Sequence, residues 1–181
     1  MRLKEKYQKT IVPELAKELG FKNSQLAPRL LKVVINVGFG KRLKEKDFLA
    51  GIEKGLTKIS GQKPVFTKSK KSISAFKIRE GLVIGAKVTL RGQKMYDFTE
   101  KLVGIAFPRV RDFRGLSDEA VDRGGNLTVG LKDVTSFPEL RAEDVPDTYG
   151  LEVCLATNAG DRTRGLALFR HLGFPFKKES K

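Results

Sequence analysis

The chain reads as an α+β fold: one domain on a largely antiparallel sheet, with helices packed on one of its faces. Three observations predict this. Apolar residues spaced by three and four mark helices, as at Phe48, Ile52, Leu56 and Ile59. Alternation marks strands, as at Leu82, Ile84, Ala86, Val88 and Leu90. The two patterns interleave with no repeat, low-complexity tract or linker, which fits mixed layers around a single core. With 181 residues, 40% of them hydrophobic, the chain is long and apolar enough for one packed domain spanning 1–181.

The elements follow in order. Leu3, Tyr7, Ile11, Leu15 and Leu19 recur every four residues and predict an N-terminal helix, kinked or restarted at Pro13 and closed by Gly20. Lys32 to Val37 is a strand ending in the tight turn Gly38-Phe39-Gly40. The helix carrying Phe48 to Ile59 stops at Gly61. Val65-Phe66-Thr67 is a short strand, followed by a long basic loop at about 68–80 and a strand from Leu82 to Arg91. Met95, Phe98, Leu102 and Ile105 place one face of a third helix in the core, with Pro108 after it. Phe113 to Gly125 reads as loop, Asn126 to Leu131 and Leu151 to Thr157 as strands. Asp161 is positioned to cap a last helix that ends before Gly173.

Strand parity separates a core face from a polar one. From Leu82, the even positions are apolar, whereas Val83, Gly85, Lys87, Thr89 and Arg91 share the other side. In the first strand Val33, Ile35 and Val37 oppose Lys32, Val34 and Asn36. Antiparallel sheets commonly leave one polar face in water, but solvated faces usually mix charge signs. Lys87, Thr89 and Arg91 have no acid among them.

Charge sharpens that distinction. Residues 1–95 hold 23 Lys plus Arg against 7 acids, a net of +16, whereas residues 96–181 hold 13 against 14, a net of −1. Concentrating cations in one half implies a basic face, the footprint of a nucleic-acid binder. The densest stretch, Lys63 to Lys94, has nine Lys or Arg and a single acid, Glu80. Within it Lys68, Lys70, Lys71, Ser72, Phe76, Lys77 and Arg79 interleave cations, hydroxyls and an aromatic ring. Lys and Arg neutralise phosphates and release counterions, hydroxyls bond phosphate and sugar, and a Phe face can stack a base. A solvated basic loop is the plainer alternative for that run taken alone. Two further clusters stand out. Arg109, Arg111 and Arg114 lie within six residues, with Asp112 placed to pair with one of them, so structural and RNA-contacting roles are both open. From Asp133 to Asp147 the sign reverses: Asp133, Glu139, Glu143, Asp144 and Asp147 face only Arg141, a surface suited to solvent or a basic protein.

Catalytic chemistry is sparse. His171 is the one histidine and Cys154 the one cysteine, far apart in sequence, which leaves no His-assisted nucleophile, zinc cluster or internal disulfide. Gly38-Phe39-Gly40 has Leu43 where a dinucleotide fingerprint needs its third glycine, and no phosphate-binding Gly-x-x-x-x-Gly-Lys-Ser/Thr run occurs. The reading is a protein that is not an enzyme, needs no cofactor or metal, and has no membrane partner, since no segment approaches the roughly 20 apolar residues of a spanning helix. The charged Met1-Arg2-Leu3-Lys4-Glu5-Lys6 start is unlike a signal peptide, and the lone cysteine suits a reducing cytoplasm.

Several longer motifs resemble one family. Gly61-Gln62-Lys63-Pro64, Lys70-Lys71-Ser72-Ile73-Ser74, Lys87-Val88-Thr89-Leu90-Arg91, Pro108-Arg109-Val110-Arg111-Asp112-Phe113-Arg114-Gly115 and Leu172-Gly173-Phe174-Pro175-Phe176 resemble, in register, the bacterial large-subunit ribosomal protein five family. The resemblance implies a cytoplasmic ribosomal protein that holds 5S rRNA in the central protuberance through its sheet. The site would comprise Asn36, Gln62, Thr89 and Arg91, with Lys32, Lys63 and Lys87 beside them. It also implies that the loop from Lys68 to Arg79 approaches P-site tRNA, and that the chain bridges to a basic protein of the small-subunit head. Asp133, Glu139, Glu143 and Asp144 are the expected bridge acids; 23S rRNA and other central-protuberance proteins are the expected neighbours. The competing functional class is a free-standing RNA-binding protein or RNA chaperone, which would bind many RNAs equally well.

Overall fold

The computed structural model describes residues 2–40, 46–140 and 148–177. Alternating side chains build five strands: β1 (Leu30–Gly38), β2 (Val65–Lys68), β3 (Val83–Leu90), β4 (Leu127–Leu131) and β5 (Leu151–Thr157). They form one sheet in the order β2-β3-β1-β5-β4, with every neighbouring pair antiparallel. The predicted α+β class and its antiparallel sheet are what the chain adopts.

Among the described residues four longer helical segments complete the layer: α1 (Leu3–Lys6, Tyr7–Ile11 and Val12–Glu18 in succession), α2 (Lys46–Ser60), α3 (Gly92–Lys101, Leu102–Ala106 and Phe107–Arg109 in succession) and α4 (Arg162–His171). Their apolar stripes meet one face of the sheet. Leu15, Ile52, Leu56, Leu102 and Leu168 from the helices and Val33, Ile35, Val88, Leu127, Val153 and Leu155 from the strands are all buried in one core. Each such side chain contributes about 1.5–3 kcal/mol by leaving water.

α1 and α3 each carry a proline and solve the problem identically. Pro13 and Pro108 have no N–H to give to the carbonyl four residues back. In both helices a five-residue π-turn ends two positions before the proline, Tyr7–Ile11 and Leu102–Ala106. Val12 N–H closes the first onto the Tyr7 carbonyl, and Phe107 N–H closes the second onto that of Leu102. The extra residue per turn shifts the phase of the buried stripe. Ala106 therefore takes the core position, and Ile105, expected there from a regular helical period, is 43% exposed. Pro108 lies inside the last turn of α3, not after it.

α4 docks on the Asp122–Asn126 turn, and Gly165 permits it. A Cβ there would lie 2.6 Å from both the Cα and the carbonyl oxygen of Gly125. Asp161 precedes α4 as expected, but its side chain makes no capping bond; its backbone carbonyl instead accepts the Gly165 N–H at 3.0 Å. The turn is held by Asp122, whose two carboxylate oxygens accept from the Asn126 backbone N–H (2.8 Å) and side-chain amide (2.9 Å). These bonds hold the Asp122 carboxyl below the usual carboxylate range. Tyr7 and Tyr149 are buried, and burial pushes each phenol up to about 12.

Antiparallel pairing fixes which ends lie together. Gly38 opposite Gly85 and Leu131 opposite Leu151 place the ends of β1, β2 and β4 at the same edge of the sheet as the starts of β3 and β5. The basic loop leaves the sheet at that edge.

Candidate nucleic-acid interface

The second face of the sheet carries the polar parity set. Lys32 and Asn36 on β1 and Lys87 on β3 are exposed, and Thr89 is half-buried. The register sets Asn36 opposite Lys87 and Val34 opposite Thr89. Lys32 and Arg91 are the next residues along from the Val33–Leu90 pair, so both cations flank the same patch. Gln62, remote in sequence, arrives from the end of α2 and donates its side-chain amide to the Thr89 carbonyl at 3.3 Å. Lys94 steadies that corner by donating to the Gly61 carbonyl at 2.9 Å. Asn36, Gln62 and Thr89, separated by tens of residues in the chain, thus sit on one uncovered patch rimmed by lysine and arginine. Lys63 is exposed beside them and reaches Glu53 at 3.1 Å, a surface pair of small energetic weight.

β5 and β4 extend the open face in a direction that parity in β1 and β3 alone does not reveal. Glu152 lies opposite Asn36, and Gly130 opposite Glu152; Cys154 lies opposite Val34, and Thr128 opposite Cys154. The cationic half of the face therefore ends at β1, with a carboxylate beyond it. The alternation of Leu151 to Thr157 carries the sidedness of Glu152, but not its place beside β1.

The basic loop carries its own hydrogen-bonded frame. Ser69 and Leu82 pair at its base, and Ile73 and Ile78 exchange two backbone bonds (2.9 and 3.1 Å) further out. Ser72 Oγ accepts the Glu80 N–H at 3.0 Å. The Ser74–Phe76 turn between them closes on Lys77 in the left-handed region, φ 54°. Lys68, Lys70, Lys71, Lys77 and Arg79 are all exposed, and the Phe76 ring at the tip is 70% exposed.

The three arginines belong to a different structure. Arg109 ends α3, and Arg111 and Arg114 flank Phe113, whose ring stacks on Phe107 at 5.2 Å. The expected Asp112 ion pair is absent among the described residues; Asp112 sits at a left-handed turn, φ 54°. The described part of the acidic stretch makes contacts within the chain. Glu139 is engaged internally by Lys101 at 2.6 Å, and Asp133 accepts the Thr135 N–H at 2.9 Å as a local cap. Neither stands as a free carboxylate; Glu143 and Asp144 lie outside the described residues. No group of His, Cys, Asp and Glu among the described residues has the arrangement of a metal site, and no described helix is long and apolar enough to cross a membrane.

Two family models match successive segments of the chain. A family model for ribosomal protein L5 matches residues 23–79, and one for the C-terminus of the same ribosomal family matches residues 83–176. The large ribosomal subunit protein uL5 of Fervidobacterium nodosum is 48% identical over 177 residues, covering 98% of this chain and 96% of that protein. The uL5 proteins of Solibacter usitatus (46% over 177 residues, 98% of each chain) and Francisella tularensis subsp. novicida (48% over 176 residues, 97% and 98%) are similar throughout.

The chain belongs to the ribosomal protein L5 family.

The two L5 family segments meet between residues 79 and 83, at the far side of the basic loop. That junction is not a break in the fold, because β3 is hydrogen-bonded to β1 and β2 from the first segment. Membership in the L5 family makes the chain a structural protein and not an enzyme.

Proposed function

We propose that the open face of the sheet binds 5S rRNA in the central protuberance, while the loop from Lys68 to Arg79 reaches toward P-site tRNA. The coarser level follows from the family: the chain is a structural protein of the large ribosomal subunit, and so works in the cytoplasm. What supports the finer reading above all is the convergence of Asn36, Gln62 and Thr89 on one uncovered patch rimmed by Lys32, Lys63, Lys87 and Arg91. Neutral donors and acceptors read base edges and 2′-hydroxyls, and the surrounding cations supply affinity without sequence preference. The loop is the complementary case: five exposed cations on a hydrogen-bonded frame with Phe76 outermost. A bridge to a basic protein of the small-subunit head would use the acidic stretch from Asp133 to Asp147, with Glu143 and Asp144 carrying more of it than Glu139, which Lys101 already neutralises.

The test is binding of the purified protein to 5S rRNA and to an unrelated structured RNA across a salt series. If about five phosphates are neutralised, log K should fall against log salt with a slope near −3.5 to −4.5. Preference for 5S rRNA should drop with Asn36→Ala and survive neutralisation of Lys70 and Lys71. Equal affinity for both RNAs would leave only a general basic RNA binder.

A further inference from the structure

The peptide that carries Gln62 out of α2 is held from both sides. α2 ends at Ser60, and Gly61 turns the chain in the left-handed region, φ 65°, so that Gln62 leaves the helix toward β3. A glycine at such a turn leaves the next peptide free to swing unless something ties it. Here Lys94 and Ser60 tie it. The Gly61 carbonyl accepts from Lys94 Nζ at 2.9 Å, and the Gln62 N–H, across the same peptide bond, donates to Ser60 Oγ at 3.2 Å. Because the peptide unit is planar, one bond on each side fixes its plane. Ser60 is itself buried and donates to the Leu56 carbonyl at 2.6 Å, within α2. Lys101 lies on the same face of α3 as Lys94, about two turns further on. It donates to the Ile59 carbonyl at 2.9 Å and pairs with Glu139. The end of α2 is thus anchored to α3 at two points. From that anchored end the Gln62 amide reaches the Thr89 carbonyl at 3.3 Å, a long bond that does not orient the amide by itself.

We propose that Lys94 is a positioning residue for the RNA site: its ammonium locks the Gly61–Gln62 peptide, and the locked peptide aims the free side of the Gln62 amide at the ligand. Charge alone counts Lys94 with the other cations of the Lys63–Lys94 stretch, as one more phosphate contact. Its place in the fold separates it from them. Lys94 springs from the first turn of α3, in the helix layer, whereas Lys32, Asn36 and Lys87 stand on the open face of the sheet. Among the described residues its ammonium has one partner, the Gly61 carbonyl. That carbonyl lies just past a helix C-terminus, where the helix dipole favours a cation. Gln62 has two amide N–H groups and a carbonyl; Thr89 takes one N–H, which leaves a donor and an acceptor for a base edge or a 2′-hydroxyl. Ordering that pair in advance removes an entropy cost from binding.

The inference rests on the 5S rRNA reading of the sheet face and assigns Lys94 a part in it that is not RNA contact. The test is a double-mutant cycle on the full chain, Lys94→Met with Gln62→Ala, read as 5S rRNA affinity across a salt series below every melting temperature. Lys94→Met should weaken binding about fivefold, the worth of one hydrogen bond, and Lys94→Arg should restore it. The salt slope should stay unchanged in Lys94→Met. In the Gln62→Ala background, adding Lys94→Met should cost less than about twofold, since coupled residues are not additive. In the free protein, the Gln62 side-chain amide resonances should shift in Lys94→Met and return in Lys94→Arg. A slope flattened by about 0.7–0.9 makes Lys94 a phosphate contact and overturns the proposal. So does a full fivefold loss in the Gln62→Ala background, or a Gln62 amide that does not move. If the amide moves but neither Lys94→Met nor Gln62→Ala alters 5S rRNA binding, the lock stands and the 5S rRNA reading of this corner fails.

Discussion

The 68–79 loop and the 109–115 segment are both basic stretches with one phenylalanine, and they use that ring in opposite directions. In the loop, Phe76 points outward at the tip and the frame is held by backbone bonds and Ser72. In the arginine segment, Phe113 turns inward onto Phe107, and the ring holds the main chain while the guanidinium groups face a groove that Lys132 and Lys177 also line. An aromatic among cations is therefore not in itself a base-stacking residue. Its use depends on whether a core lies within reach. The loop, extending from the sheet edge, has none; the segment ending α3 lies directly over one.

The comparison can be broken or sharpened by four experiments, beginning with the largest effect. Replacing Lys68, Lys70, Lys71, Lys77 and Arg79 by Gln should flatten the salt slope for tRNA binding by about 3.5–4.5. An unchanged slope would remove the loop from that contact. Next, Phe113→Ala should lower stability by about 2–4 kcal/mol in urea unfolding, since the ring is part-buried. Phe76→Ala should leave the unfolding midpoint in place and weaken tRNA binding by about 1–3 kcal/mol, the worth of one stacked base. If Phe76→Ala destabilised the fold as much as Phe113→Ala, the two rings would share a role. Third, Asn36→Ala should lower 5S rRNA affinity about five- to tenfold, as for one lost hydrogen-bonding group, without altering binding to an unrelated RNA. The smallest effect is an acid one. The lowered pKa of Asp122 means that its contribution is complete above the usual carboxylate range and is lost as pH falls through the lower folded value. The Asn126 amide resonance should therefore shift at a pH below that range, with the amides of the 68–79 loop unmoved. A shift within the ordinary range would deny the carboxylate its Asn126 bonds.

Legibility in the sequence follows the range of the interaction. The stripe of Phe48, Ile52, Leu56 and Ile59 is readable because helical period is a local property, and all four residues are buried. The alternation in β1 and β3 likewise separates Val33, Ile35 and Val88 from Lys32, Asn36 and Lys87. Ile105 shows where local reading fails. A regular period puts it in the core, but the π-turn that accommodates Pro108 adds a residue, and Ala106 is buried instead. Glu139 shows another limit: it lies in a stretch of mostly acidic charge from Asp133 to Asp147, yet Lys101, from α3, pairs with it. Lys132 and Lys177 show a third, since nothing local marks either as a companion of the arginines.

The chain by itself determined the fold class, the sidedness of its strands and the concentration of positive charge in its first half, because side-chain direction follows from backbone period and charge from composition. Tertiary structure alone decided the strand order β2-β3-β1-β5-β4, which puts Gln62 beside Thr89 and Glu152 beside Asn36. It alone brought the Arg109–Gly115 segment, the end of β4 and Lys177 around one groove. Those neighbours are chosen by the burial of a shared core across distant segments, a sum over the whole chain that no local window contains.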